Sequence, residues 1–74
     1  MSVPWETIQE YIEGAYAING QVERSVALEL GEADGISDDA VDAIDAIGSR
    51  IFRGDTAVAD TKGFLDSVGH LTGA

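Results

Sequence analysis

Apolar residues recur at steps of three and four along the first third of the chain, with polar residues between them. On a helix such positions share one face, here an arc of roughly 160°. Glu6, Glu10 and Glu13 fall on the other side. The pattern predicts one amphipathic helix over residues 3–30, about 42 Å long at 1.5 Å per residue. The stripe on its apolar face consists of Trp5, Ile8, Tyr11, Ile12, Ala15, Tyr16, Asn19, Val22, Val26 and Leu30.

The pair Asn19-Gly20 is a turn signal inside this stretch. The apolar phase nevertheless continues across it, because Val22 and Val26 keep to the arc that Trp5 begins. We therefore predict a continuous helix that is at most bent at Gly20. A buried Asn19 would fix the register or stoichiometry of a helical assembly, whereas at a helix end it would act as a cap.

Two shorter helices are predicted in the rest of the chain. Gly31 suits the position just after a helix, and Ser37 and Asp55 are suitable N-caps for the helices that follow. No alternating run of residues predicts a strand. The predicted fold class is all-α, a long N-terminal helix plus a helical hairpin in a single domain. The predicted bounds are 3–30, a linker over 31–36, 37–53 and 55–71 within a domain of residues 1–74.

Because the chain is short, this apolar stripe is the main evidence in the sequence about function. A chain of 74 residues is marginal as an independent domain. It has no cysteine for disulfides, and its single histidine does not make a zinc site. Oligomerisation is the remaining common way to stabilise so small a fold. We therefore expect the stripe to be an interface, either in a homo-oligomer or with another protein.

The net charge of −10 narrows the class of partner. The acidity is spread along the chain rather than collected in a tail, and it opposes direct nucleic-acid binding, which needs lysine and arginine on phosphates. A basic protein fits, including one for which this chain would act as an acidic nucleic-acid mimic. The N-terminal residues show no signal-peptide pattern and no run is long enough for a spanning helix, so a cytoplasmic location is expected by default.

Two groups of residues are candidate sites of chemistry. Five aspartates, at positions 34, 38, 39, 42 and 45, suggest calcium, but their spacing lacks the alternating ligands, central glycine and closing glutamate of the helix-loop-helix site. They are interpreted as a helix start and a solvated face. Ser67 and His70 lack an orienting carboxylate and an oxyanion hole. The sequence therefore predicts no enzyme, no cofactor and no metal.

The segment around Ser37 resembles the start of the second helix of acyl carrier proteins, where a serine carries phosphopantetheine. The resemblance lies in Ser37 followed by Asp39-Ala40-Val41-Asp42 and in the central position of the serine in an acidic helical chain. It implies a carrier modified at Ser37. The family's Asp-Ser-Leu triplet is Ile36-Ser37-Asp38 here.

The preferred interpretation is a non-enzymatic, self-associating structural subunit or protein–protein interaction module. Three alternatives stay open: the carrier modified at Ser37, the acidic nucleic-acid mimic, and an amphipathic envelope or pore-forming oligomer. Glutamates on the polar face of the first helix disfavour anionic lipid, whereas aromatic residues on its apolar face suit an interface.

Overall fold

A computed structural model describes residues 2–72, and within them the chain forms four helices and a two-stranded sheet. In chain order the elements are α1 (Trp5–Asn19), β1 (Gln21–Glu23), α2 (Arg24–Ala33), α3 (Asp38–Asp45), β2 (Ile51–Arg53) and α4 (Ala57–Ser67). The mostly helical character predicted from the sequence is confirmed, and the small sheet was not predicted.

The predicted continuous helix over residues 3–30 is wrong, because it is interrupted at residues 20–23 and its last residues belong to a separate helix, α2. α1 ends at Asn19, where Gly20 takes a left-handed φ of 69° and its N–H donates to the Tyr16 carbonyl oxygen at 2.7 Å. Glycine adopts this conformation without the Cβ penalty of other residues, so it closes the helix and redirects the chain. The continuous apolar phase beyond Gly20 arises because β1 and α2 fold back and bury their own apolar residues on the same core.

β1 and β2 form an antiparallel ribbon in which Val22 pairs with Phe52. Val22 is fully buried and Phe52 half-buried, because this face of the ribbon turns towards the helices. The sequence did not predict these strands, because strands of three residues are too short to show an alternating pattern.

Both predicted shorter helices exist but are shorter than expected. Ser37 caps α3 as predicted, its Oγ accepting a hydrogen bond from the Ala40 N–H at 3.2 Å, yet the helix ends at Asp45 rather than at residue 53. Gly48, at a φ of 64°, lies in the turn that leads to β2. The last helix covers Ala57–Ser67 instead of 55–71, and its end is followed by Gly69 at a φ of 83°.

The predicted linker over residues 31–36 is also corrected. Gly31 is a buried residue inside α2, and a Cβ built on it would lie 2.5 Å from Ile36 Cδ1. This glycine therefore allows close packing against Ile36 rather than ending the helix. The turn after α2 is made by Asp34 and Gly35, whose φ is 70°.

α1 is the central element of the core and contacts α2, α3, α4 and β1. The N-terminal segment and the segment after α4 are joined by a parallel bridge between Val3 and Leu71. Val3 donates its N–H to the His70 carbonyl oxygen at 3.0 Å. The largest fully buried side chains are Ile8, Ile12, Val22, Ile44, Ile47, Thr61 and Leu65.

Candidate functional site

Most of the stripe predicted to be an interface lies in the core of its own chain. The six buried members are Trp5, Ile8, Tyr11, Ile12, Ala15 and Val22. Ile8, Ile12 and Ala15 are fully inaccessible. Because the break at Gly20 allows later elements to pack on α1, these three residues are covered by their own chain. Trp5 and Tyr11, in contrast, each keep an edge in a surface groove. Self-association therefore does not follow from an uncovered stripe on α1.

The other four members of the stripe lie at its margins. Tyr16, Val26 and Leu30 are half-buried and pack against the core. Asn19 is exposed at the end of α1, so it lies at a helix end and not in a buried layer. None of the four forms a broad apolar surface with the buried members.

Ser37 and Ser67 are both used in local structure. Ser37 holds the start of α3 through the cap described above, and its residue is exposed. Ser67 donates its hydroxyl to the Phe64 carbonyl oxygen at 2.7 Å, at the end of α4. This hydrogen bond directs the Ser67 hydroxyl proton to a backbone carbonyl and not to His70. Ser67 and His70 are therefore not arranged as a nucleophile and its base.

Of the five aspartates of the calcium hypothesis, one lies in the turn directly after α2 and the other four lie in α3. Asp34 accepts a hydrogen bond from Tyr11, and Asp45 pairs with Arg24 at 2.9 Å. Within residues 2–72 no three histidine, cysteine or acidic side chains are grouped so that they could hold a metal ion.

A groove of about 280 Å³ lies between α1 and the end of α2; we call it the α1–α2 groove. Gly14, Leu30 and Ala33 supply apolar lining, and Glu10 and Asp34 supply carboxylates. Gly14 makes room for the neighbouring helix, since a Cβ there would lie 3.0 Å from Leu30 Cδ1. The groove therefore combines a narrow apolar surface with negative charge.

Tyr11 completes this groove and connects its two sides. Its hydroxyl donates to Asp34 Oδ2 at 3.0 Å. The pKa of Tyr11 is raised to about 12, chiefly by burial and in addition by the hydrogen bond to Asp34 and the charges of Asp34 and Glu10. The phenol therefore stays protonated at neutral pH and keeps the Asp34 carboxylate oriented.

A second groove, of about 480 Å³, lies where the two ends of the chain meet. Trp5 and Leu71 line it with Lys62, whose Nζ lies 5.8 Å from the centre of the Trp5 ring. Glu6 and Asp66 also line it, so this groove contains both signs of charge. Its mixed lining does not indicate one class of ligand.

All four basic side chains contact other groups of the same chain. Arg24 pairs with Asp45, and Arg53 donates its Nε–H to Gln21 Oε1 at 3.1 Å. The other two lie over aromatic rings, Arg50 at 4.3 Å from the centre of Phe64 and Lys62 over Trp5. Fourteen acidic residues against four basic ones leave most of the surface negative.

Sequence reasoning missed the α1–α2 groove because the groove exists only when α2 folds back on α1. Glu10 was placed on the polar side of a long helix, and Asp34 was considered only with the other aspartates. The available signal was the pair of small residues Gly14 and Ala33, which allow neighbouring helices to approach closely.

Comparison with known proteins adds no relative. No family model matches the chain, and neither the curated proteins nor the solved structures compared with it gave a match. Across residues 2–72, none of the helices combines the length and the apolar character that crossing a bilayer requires.

Proposed function

We propose that this protein is a non-enzymatic protein–protein interaction module that binds a basic segment of a partner in the α1–α2 groove. The observation that carries the proposal is that the lining of the α1–α2 groove combines apolar side chains with carboxylates and, among the described residues, includes no basic side chain. A basic segment means here an exposed stretch of protein with lysine or arginine side chains.

The lining of the groove suits a long basic side chain. Lysine and arginine have an apolar stem and a charged end, and they commonly lay the stem along an apolar surface. Leu30 and Ala33 offer such a surface, while Glu10 and Asp34 lie close enough to line the same groove. The Tyr11 hydrogen bond uses one oxygen of Asp34, and a carboxylate has further acceptor capacity for a cation.

The charge of the whole molecule supports the same class of partner. A net charge of −10 on 74 residues attracts a basic surface at a distance and speeds its association. Because these charges are exposed, the attraction weakens as salt rises and the Debye length falls below about 10 Å. The expected complex is therefore salt-sensitive.

The test is calorimetric titration with a short lysine-rich peptide at about 50 mM and about 300 mM salt. We expect measurable binding at the lower salt and clearly weaker binding at the higher. A peptide in which norleucine replaces lysine keeps the stem without the charge, and it should bind little. If the lysine peptide does not bind at the lower salt, the proposal is wrong.

A pair of charge-matched variants locates the binding. Asp34→Asn removes one negative charge in the groove, and Asp55→Asn removes one from the exposed turn before α4. We expect Asp34→Asn to lower the affinity for the peptide by about two- to fivefold, the range for one exposed ion pair. Asp55→Asn should lower the affinity less. Equal losses would mean diffuse attraction to the whole surface instead of a site.

A further inference from the structure

The basic residues of this acidic protein are unevenly placed. All three arginines lie on the β1–β2 ribbon and the residues next to it, within residues 21–24 and 50–53, which we call the arginine ribbon. With Glu23 as its single acidic residue, the arginine ribbon carries a charge of +2. The rest of the chain has one lysine and thirteen acidic residues, hence −12.

Strand register sets where each arginine lies. Gln21 is opposite Arg53, and Glu23 is opposite Ile51, so Arg24 and Arg50 lie at one end of the arginine ribbon and Arg53 at the other. Arg24 is paired with Asp45, and Arg50 lies over Phe64. Arg53 is exposed and is held by one side-chain hydrogen bond, through Nε to Gln21.

Arg53 is therefore the arginine best placed to reach another molecule. A guanidinium has five N–H donors, and the bond to Gln21 uses one of them while it orients the planar group. Ile51, two residues away and 43% exposed, offers apolar surface beside it. Together they present a long basic side chain with an apolar neighbour.

We propose that the occupant of the α1–α2 groove is Arg53 of a second copy of this chain. This inference rests on the proposed function, since it takes the groove to be a site for a basic side chain. The charge of the two surfaces argues for this partner, because Arg50 and Arg53 lie on the ribbon outside the Arg24–Asp45 ion pair, whereas the groove carries Glu10 and Asp34. A carboxylate and a guanidinium can form two parallel hydrogen bonds.

The geometry of such a contact is head-to-tail. The ribbon of one copy meets the groove of the next, so a pair has one free groove and one free ribbon left, and the contact closes into a ring or continues as a chain. A ribbon-to-ribbon dimer would instead bring arginines of both copies together, which is unfavourable.

The association is expected to be weak. The ribbon covers fewer residues than the roughly 20–30 per side of a standard interface, and two molecules of charge −10 repel each other at a distance. Salt near physiological strength screens that long-range repulsion more than the short contact between Arg53 and Asp34. Self-association should therefore be greater at about 150 mM salt than at about 10 mM.

Sedimentation of the protein from about 10 μM to about 1 mM tests the inference. We expect the average mass to rise above 7.8 kDa at the higher concentrations. Arg53→Gln should abolish most of this increase in average mass. Lys62→Gln, which makes the same change in charge, should not alter the increase. A constant monomer mass, or equal effects of the two variants, would overturn the inference.

Charge reversal gives an independent readout. Arg53→Asp and Asp34→Arg should each be monomeric alone, because every contact between identical variants joins like charges. A mixture of the two should associate, because both contacts between different variants join opposite charges. Failure of the mixture to associate would also overturn the inference. If the lysine peptide still binds at Asp34 in that case, the proposed function stands with a different partner; if the peptide does not bind either, both proposals fail.

A polyanion decides between partners of the ribbon. Suppose that heparin binds the wild-type protein but not Arg53→Gln, and that the protein does not self-associate at any concentration. These results would assign the arginine ribbon to another anionic macromolecule and exclude the second copy.

Discussion

Tyr11 on α1 donates a hydrogen bond to Asp34 directly after α2, with 3.0 Å between the phenol oxygen and Oδ2. The two residues are 23 positions apart in the sequence. They can meet only because the chain folds back after Gly20. The hydrogen bond also holds together the two sides of the α1–α2 groove. The same pair therefore links the fold to the proposed site.

The first prediction concerns alkaline pH. The pKa of Tyr11 is raised from 10.0 to about 12, so the unfolded chain loses this proton before the folded one does. The stabilisation is complete below about pH 10 and is lost as the pH rises towards about 12. Urea unfolding across this range should show the decline in wild type and a smaller decline in Tyr11→Phe. Tyr16→Phe keeps Tyr11 and serves as the control; an unchanged profile in Tyr11→Phe would contradict the assignment.

The second prediction uses two glycines with opposite roles. Gly20 has a φ of 69°, whereas Gly63 lies inside α4, and a Cβ at either would meet nothing within 4 Å. Gly20→Ala should cost about 1–2 kcal/mol of unfolding free energy because alanine disfavours the left-handed conformation. Gly63→Ala should gain about 0.8–1 kcal/mol from helix propensity. Thermal unfolding measures both, at about 4–8 °C per kcal/mol. A harmless Gly20→Ala would mean that the turn is not needed.

How far sequence reasoning reached is clearest at this turn. Helical character and the cap at Ser37 followed from local chemistry, namely apolar spacing and a side chain that can bond the first turn. The ending of α1 at Asn19 did not follow, because Val22 and Val26 keep a helical phase even though Val22 lies in β1 and Val26 in α2. Local periodicity cannot distinguish one long helix from two elements that bury residues on one core.

The candidate site was less accessible to prediction for a related reason. Asp34 and Tyr11 were both singled out from the sequence, but for different purposes, a calcium cluster and an interface stripe. Their contact depends on the packing of α2 against α1. The clustering of arginines could not be predicted either, because Arg24 and Arg53 come to lie on the same ribbon only through the pairing of β1 with β2. Long-range pairing of this kind leaves no short-range pattern.

The third prediction separates a core from an interface. Ile12 is fully buried within its own chain, and Ile18 on the same helix is 63% exposed. Ile12→Ala should cost about 2–5 kcal/mol, a large part of the stability of a small domain, and Ile18→Ala should change it by less than about 0.5 kcal/mol. Both can be measured by urea unfolding. Equal effects would argue against the buried position of Ile12.

The same residues predict how unfolding depends on concentration. If the stripe that includes Ile12 were buried between chains, the unfolding midpoint would rise with protein concentration by mass action. Because it is buried within one chain, we expect the midpoint to be constant between about 5 and 50 μM, where the weak contact proposed for Arg53 is not populated. A midpoint that rises strongly over this range would restore the stripe as an interface.

The fourth prediction concerns Ser37, whose Oγ accepts from the Ala40 N–H and caps α3. Ser37→Ala should cost about 1 kcal/mol of unfolding free energy and Ser37→Gly only a few tenths, because glycine tolerates the cap position better than alanine. Ser49→Ala, at an exposed turn position, is the matched control and should be nearly neutral. A cap role and a carrier role make different demands on this serine. Incubation with a phosphopantetheinyl transferase should leave the intact mass unchanged if Ser37 serves only as a cap, whereas a gain in mass that Ser37→Ala abolishes would establish the carrier alternative and displace the interaction module proposed above.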